Sequence, residues 1–284
     1  MGDILTAITA IVGNSLDLSK STPGGIQNRV NQMGEALEEY VKNAFANCIG
    51  KDQRTINSLR SSTFSYLGNN TNPPDAMLKG SDAIEIKKVE SAKNTLQFNS
   101  SYPKNKLSLG NPKISVKCKN CEEWDTKDMI YVVGHVEKSI LHNIFFVYGD
   151  VYCDAHSVYE NVENTIKECV QSLDVIESSE TKELGRVNKV DHLGISSLRV
   201  RGMWVITSPF KQFEYLYEDK AKEDCYSFRL IAIIPEDKYD TFESKTDFET
   251  FCKSHDVVVN DEDIPNPQNP AEMIKCKVVI YKVQ

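Results

Sequence analysis

The sequence predicts an α/β protein with a central mixed β-sheet flanked by helices. Three observations carry that expectation. Continuous apolar runs at 129–134 (Met-Ile-Tyr-Val-Val-Gly) and 144–149 (Ile-Phe-Phe-Val-Tyr-Gly) have the length and composition of buried central strands. Apolar residues recur at helical spacing across 27–49 and 158–173. Between the helix at 27–49 and the first buried run, a glycine at 80 is followed by residues 84–87 that alternate apolar and polar, as the return strand of a hairpin does. With 284 residues the chain can fill a large core, and a single domain over 1–284 is expected.

In chain order, Ile4, Leu5, Ile8, Ile11 and Val12 predict an opening amphipathic helix. Residues 21–25 (Ser-Thr-Pro-Gly-Gly) read as a loop. The helix at 27–49 presents Val30, Met33, Leu37, Tyr40, Val41, Ala44, Phe45 and Cys48 on one face, with Glu35, Glu38 and Glu39 along it. Residues 61–72 read as a turn-rich approach to the hairpin. Beyond it, 113–118 reads as a strand, 124–137 and 144–149 as neighbouring strands, and 158–173 as a helix with Val162, Ile166, Cys169, Val170 and Leu173 buried. A polar connection at 177–184 precedes a strand around 198–206. Residues 226–235 predict a strand, 247–254 a short helix, 264–270 a proline-stiffened loop and 276–283 a final strand.

The hairpin holds the chemistry. Pro73 and Pro74 stiffen the approach, 76–78 is one strand, and Lys79-Gly80-Ser81 is the turn, with Gly80 free to take positive φ. A turn centred on Gly80 sets Asp75 opposite Glu85. Directly opposed Cβ atoms lie about 5 Å apart. Glu85 and Lys87 share a face, and Ile84 and Ile86 share the other. Two carboxylates and an ammonium thus converge over an apolar underside. That trio suits phosphodiester hydrolysis, in which oxygen-ligated Mg²⁺ neutralises the phosphate and a lysine positions the attacking water. The same pattern also fits an amphipathic hairpin with a solvated charged face. Asp82 is the alternative first acid, but three residues from Glu85 it points to the opposite face.

Net charge is −8, which is not the footprint of a nucleic-acid binder, yet its distribution is uneven. Residues 77–119 carry nine lysines against three acids, and 120–184 carry fourteen acids against four lysines. A basic stretch therefore flanks the hairpin. Gln97, Asn99, Ser100, Ser101, Tyr102 and Lys104 have the amides, hydroxyls and charge that contact phosphates or base edges, and equally the composition of a polar turn. Arg199 and Arg201 stand two apart, on one face of a strand. Each guanidinium can donate bidentately to guanine O6 and N7, or sit on a solvated edge. Eight scattered cysteines without a secretory signal suggest reduced thiols and a cytoplasmic protein, with no membrane span. Cys118-x-x-Cys121 has no second pair at zinc-finger spacing; Cys153 and His156 could complete a set only through the fold. No His-x-x-x-His, Gly-x-Ser-x-Gly, P-loop or dinucleotide fingerprint occurs, which removes the commonest competing enzyme classes.

Pro74-Asp75 followed by Glu85-x-Lys87 resembles the active-site motif of the PD-(D/E)XK nuclease superfamily. Four stretches are similar to NgoPII-type restriction endonucleases: 31–42 (Asn-Gln-Met-Gly-Glu-Ala-Leu-Glu-Glu-Tyr-Val-Lys), 74–88, 99–104 (Asn-Ser-Ser-Tyr-Pro-Lys) and 198–204 (Leu-Arg-Val-Arg-Gly-Met-Trp). The resemblance implies a restriction endonuclease-like fold and a type II restriction endonuclease that hydrolyses double-stranded DNA with Mg²⁺ at a short palindrome, GGCC or a related site. It implies Asp75 and Glu85 as metal ligands and Lys87 as organiser of the attacking water. Glu38, four residues after Gly34, is the matching helical glutamate. It further implies DNA contacts by Lys88, the 97–104 stretch, Arg199 and Arg201. A homodimer suits a palindrome, and a companion DNA methyltransferase is expected in the host. A structure-specific repair or junction nuclease of the same fold, and a non-catalytic DNA-binding protein, are the alternatives.

Overall fold

A computed structural model describes residues 2–14, 33–69, 72–99, 101–138, 140–172, 184–188, 190–217 and 226–284, and of 33, 35, 69, 171 and 187 only the backbone. Helix α1 (Ile4–Gly13) begins where Asp3 caps it, its carboxylate accepting from the Thr6 N–H at 2.7 Å. The apolar residues of α1 are buried on nearly all sides, between α2 (Met33–Phe45) and α9 (Lys245–Ser254). The remaining helices are α3 (Gln53–Thr63), α4 (Val116–Lys119), α5 (Gly149–Tyr152), α6 (His156–Gln171), α7 (Pro209–Gln212) and α8 (Glu236–Tyr239).

The strands are β1 (Phe64–Asn69), β2 (Asn72–Leu78), β3 (Ala83–Val89), β4 (Leu96–Phe98), β5 (Lys106–Ser108), β6 (Thr126–Glu137), β7 (Ile140–Tyr148), β8 (Gly185–Val187), β9 (Leu198–Val200), β10 (Trp204–Ile206), β11 (Phe228–Pro235), β12 (Val258–Asn266) and β13 (Asn269–Val283). Nine of them form one mixed sheet in the order β1-β2-β3-β6-β7-β11-β13-β12, with β5 on the start of β6. The pairs β3–β6 and β7–β11 are parallel and the others antiparallel. Each parallel pair needs a long crossover. The first, 90–125, carries β4, β5 and α4; the second, 149–227, carries α5 to α7 and β8 to β10. Nearly all the expected DNA-facing residues sit on these two excursions, which meet where β4 pairs with β10.

The mixed, helix-flanked sheet and its buried strands 126–137 and 140–148 agree with the expectation. Several elements do not. Residues 113–118 are not a strand: Ser115 caps α4, its hydroxyl accepting from the Cys118 N–H at 3.1 Å. Residues 61–69 belong to α3 and β1 and Asn72 opens β2, rather than forming turns; 70–71 lie outside the described residues. The prolines of 264–270 do not make a loop but lie in and around the β12–β13 hairpin, where an edge strand tolerates a missing N–H. The 198–206 segment is two strands: β9 pairs with β8 and β10 with β4, and 201–203 break between them. Helix α6 turns the expected apolar stripe outward, leaving Val162 47% exposed and Ile166 40%. Its inner face buries Glu163, which joins Lys113 and Lys167 at 3.1 Å each. The loop expected at 21–25, the first turns of the helix expected from residue 27, Leu173, Cys225 and most of the 177–184 connection lie outside the described residues.

No helix among the described residues is long and apolar enough to cross a membrane.

Candidate active site

The β2–β3 hairpin has the register that the glycine turn dictates. Ala76 pairs with Ile84 and Met77 with Ala83, and Gly80 takes φ of +63°. The turn is held from outside, with the Gly80 N–H donating to Glu122 at 3.0 Å and Lys127 Nζ donating to the Leu78 carbonyl at 3.3 Å. Lys127 also ion-pairs with Glu122 at 2.5 Å. Asp75 thereby reaches across to β3, where its Oδ2 accepts from the Ile86 N–H at 2.6 Å. Glu85 is buried, and its Oε1 meets Lys87 Nζ at 2.7 Å. The structure thus brings together the three residues expected to converge.

The electrostatics follow from that crowding. Burial, then the neighbouring Glu85 carboxylate, push the Asp75 carboxyl up to about 8, against the pull of Lys87 and the Ile86 N–H. Burial alone would lower the Lys87 ammonium, but the Glu85 and Asp75 carboxylates outweigh it and hold it above the ordinary lysine value. Lys87 is therefore held as a cation in this arrangement. Glu38 sits on α2, which packs on β3, and its charge is felt by both Asp75 and Lys87. It is ion-paired with the buried Lys42, four residues on. Glu39 instead binds Arg60 at 2.7 Å.

The donor set suits a hard divalent cation. Glu85 Oε2 is buried with no hydrogen-bond partner, an arrangement that costs about 1–3 kcal/mol or more for a charged group unless something compensates it. Among the described residues no three His, Cys, Asp or Glu side chains gather as a metal-binding group. Two carboxylates are enough for Mg²⁺, which keeps several waters and takes its remaining oxygens from a phosphate. Cys118 and Cys121 face other partners: the Cys118 thiol lies 3.2 Å from the Met77 sulfur, and burial pushes it up to about 12. His156 binds Tyr102 at 2.7 Å and Glu160 at 2.9 Å.

Asp82, the alternative acid, is buried elsewhere. Its carboxylate accepts from Tyr148 at 2.8 Å and from Lys238 at 2.6 Å. Asp82→Asn is accordingly expected to leave the cleavage rate within about threefold of wild type, because mutations away from reacting groups act chiefly through stability. A single-turnover cleavage assay at a temperature where both proteins are folded checks it.

The residues expected at a DNA surface are placed unevenly. Lys88 is part-exposed and 3.9 Å from Glu90; Gln97 and Asn99 are exposed. Ser100 lies outside the described residues. Ser101, Tyr102 and Lys104 are buried, and Lys104, only 4% exposed, spends its ammonium on Ser101 Oγ and, at 3.0 Å, on the Tyr102 carbonyl. Burial lowers the Lys104 ammonium to about 8 although Glu85 pulls the other way. Arg199 and Arg201 are exposed. Arg199 pairs across the ribbon with Arg186, a third arginine that sequence reading did not single out, and Arg201 stands one residue beyond β9. Lys42 and Phe98 were also missed. Phe98 lies under Lys87, whose Nζ is 4.9 Å from the ring centroid.

Comparison with known proteins identifies the family. The NgoPII restriction endonuclease family pattern matches residues 2–265. The type II restriction enzyme NgoPII of Neisseria gonorrhoeae is 41% identical over 280 residues, 98% of this chain and 99% of that protein. No solved structure matches the chain. A family match across nearly the whole chain and a full-length relative at this identity are decisive: the chain belongs to the NgoPII restriction endonuclease family of type II restriction enzymes.

Proposed function

We propose that this chain hydrolyses phosphodiesters of double-stranded DNA at a short GC-rich palindrome such as GGCC, using Mg²⁺ held by Asp75 and Glu85. The observation that carries the reading is the orphaned Glu85 Oε2, buried beside Asp75 and facing no partner of its own. When bound, Mg²⁺ would supply charge neutralisation at the phosphate and acidify the attacking water. Asp75 and Glu85 contribute hard oxygen donors. Lys87, held cationic by both carboxylates, donates to the attacking water and to phosphate oxygens as charge builds on them. Glu38, with Lys42 fixing its carboxylate, supports the pair from α2. The motif and the mixed sheet support a PD-(D/E)XK core, and a single domain over 1–284 fits a sheet that draws strands from both halves of the chain.

Arg199 and Arg201 are the best candidates for guanine contacts, with Arg186 beside them. Lys88, part-exposed on β3, and Gln97 and Asn99, exposed on the first crossover, contribute polar groups near the site. Ser101, Tyr102 and Lys104 follow in the same segment and act from inside it, and Ser100 is kept as a DNA contact on the resemblance alone. A homodimer would present the site twice, as a palindrome requires. A cytoplasmic location and a companion methyltransferase go with this role.

A digest of long defined DNA with Mg²⁺, and again with EDTA, tests the reading. Discrete fragments that need Mg²⁺ are expected, and end mapping gives the site. Structure-dependent products without fixed ends would favour a repair nuclease, and no cleavage a binding protein. Arg201→Ala is expected to weaken specific binding by about 1–3 kcal/mol and relax discrimination at one base pair. Titration against the mapped site and single-base variants checks this, and unchanged discrimination would remove Arg201 from base reading.

A further inference from the structure

Phe98 is the aromatic floor of the site. Its ring is buried, lies 4.9 Å from Lys87 Nζ, and is braced edge-to-face by Tyr131 at 6.0 Å. A cation over an aromatic face is attracted by the ring quadrupole, most strongly where water is scarce. Lys87 therefore has two directional holds. Glu85 draws the ammonium along the strand face at 2.7 Å, and Phe98 supports it from the side. If Glu85 turns its charge to a metal ion, the ring still supports the ammonium at close range.

Phe98 is also not anchored by its own crossover alone. Its strand, β4, pairs only with β10 among the described residues, and the residue opposite Phe98 is Trp204. Trp204 stands three positions after Arg201 and packs edge-on to Tyr159 at 5.5 Å and Tyr102 at 6.1 Å. The floor under Lys87 is thus built on the strand that follows the arginine segment.

We infer that Phe98 is a positioning residue for the cleavage reaction: its ring face holds the Lys87 ammonium at the scissile phosphate, and its pairing with Trp204 makes that placement depend on the strand following Arg201. The inference rests on the nuclease reading above. It predicts that Phe98 affects the chemical step and not DNA affinity.

The test replaces Phe98 with 3,4,5-trifluorophenylalanine, which keeps the ring's shape but drains its negative face, and separately uses Phe98→Leu and Phe98→Tyr. Single-turnover cleavage of the mapped site with Mg²⁺ is measured beside the dissociation constant for the same DNA with Ca²⁺. The fluorinated ring is expected to slow cleavage about two- to tenfold, in line with a cation–π contribution of about 0.5–1.4 kcal/mol. Phe98→Leu should slow it about tenfold or more, and Phe98→Tyr should stay within about twofold of wild type, with all dissociation constants within about twofold. A fluorinated protein as fast as wild type overturns the inference even if Phe98→Leu fails to fold, and so does a parallel loss of DNA affinity. Wild-type protein that does not cut any DNA would instead sink the nuclease reading, and this inference with it.

Discussion

Lys87→Ala protein is expected to cleave its site at least about 10²–10³-fold more slowly than wild type while binding the same DNA and the same divalent cation. The magnitude is that of removing one preorganised charge from a water-poor reaction centre. Lys87 is well placed for it. Two carboxylates keep it protonated despite its burial, so under the proposed function it would deliver a positive charge where the phosphate gains negative charge. Binding should survive because the exposed arginines lie on other elements and Asp75 and Glu85 remain. Single-turnover rates at saturating enzyme, with Ca²⁺-supported DNA affinity measured alongside, separate the two effects. Lys87→Arg is expected to recover only part of the rate, because the longer planar fork does not reproduce a point charge between Glu85 and Phe98. Cleavage undiminished in Lys87→Ala would leave the hairpin a charged surface and move the chemistry elsewhere.

The hairpin was legible in the sequence because its determinants are local. A glycine turn fixes register, register fixes which side chains oppose, and period-two alternation fixes the faces. The buried strands at 126–137 and 140–148 were legible from composition alone. Other features depend on what an element meets. The stripe on α6 was evident from its spacing, but spacing says nothing of which side meets the sheet. In the fold the inner side is the one that lets Glu163 reach Lys113. Lys104 reads as a basic surface residue; only the fold shows its ammonium folded back onto the loop. The 201–203 break comes from tertiary pairing, since β9 and β10 take different partners. Phe98 was invisible for the same reason: nothing in sequence places residue 98 under residue 87. Residues that act through a neighbour from another strand are those a linear reading misses.

Asp75→Asn is expected to abolish cleavage, by about 10³-fold or more, and at the same time to stabilise the metal-free protein at alkaline pH. Both follow from one cause. The Asp75 carboxyl is held up to about 8, chiefly by burial and then by Glu85, against 3.8 for an ordinary aspartate. Between those values the folded protein binds a proton that the unfolded chain has released, so stability falls as pH rises through this window. Below pH 4 both states carry the proton, and above pH 8 neither does, so the penalty is then complete. Asparagine has no proton to lose, and its advantage over wild type should grow from pH 4 to pH 8, by about 1.4 kcal/mol per pH unit and on the order of 5 kcal/mol over the window, and then level off. Mg²⁺ should act in the opposite sense on wild type alone. It needs the ionised carboxylate, so its binding releases a proton, and its affinity should rise by about tenfold per pH unit below 8. Melting curves from pH 5 to 9, with and without Mg²⁺, read the stability and metal effects, and single-turnover cleavage reads the loss of activity. Wild type and Asp75→Asn with parallel pH profiles would mean that Asp75 ionises freely and is not crowded by Glu85. Full cleavage by Asp75→Asn would exclude it as the metal-binding acid and reopen the claim of Asp82, which in the fold would first have to break from Lys238 and Tyr148.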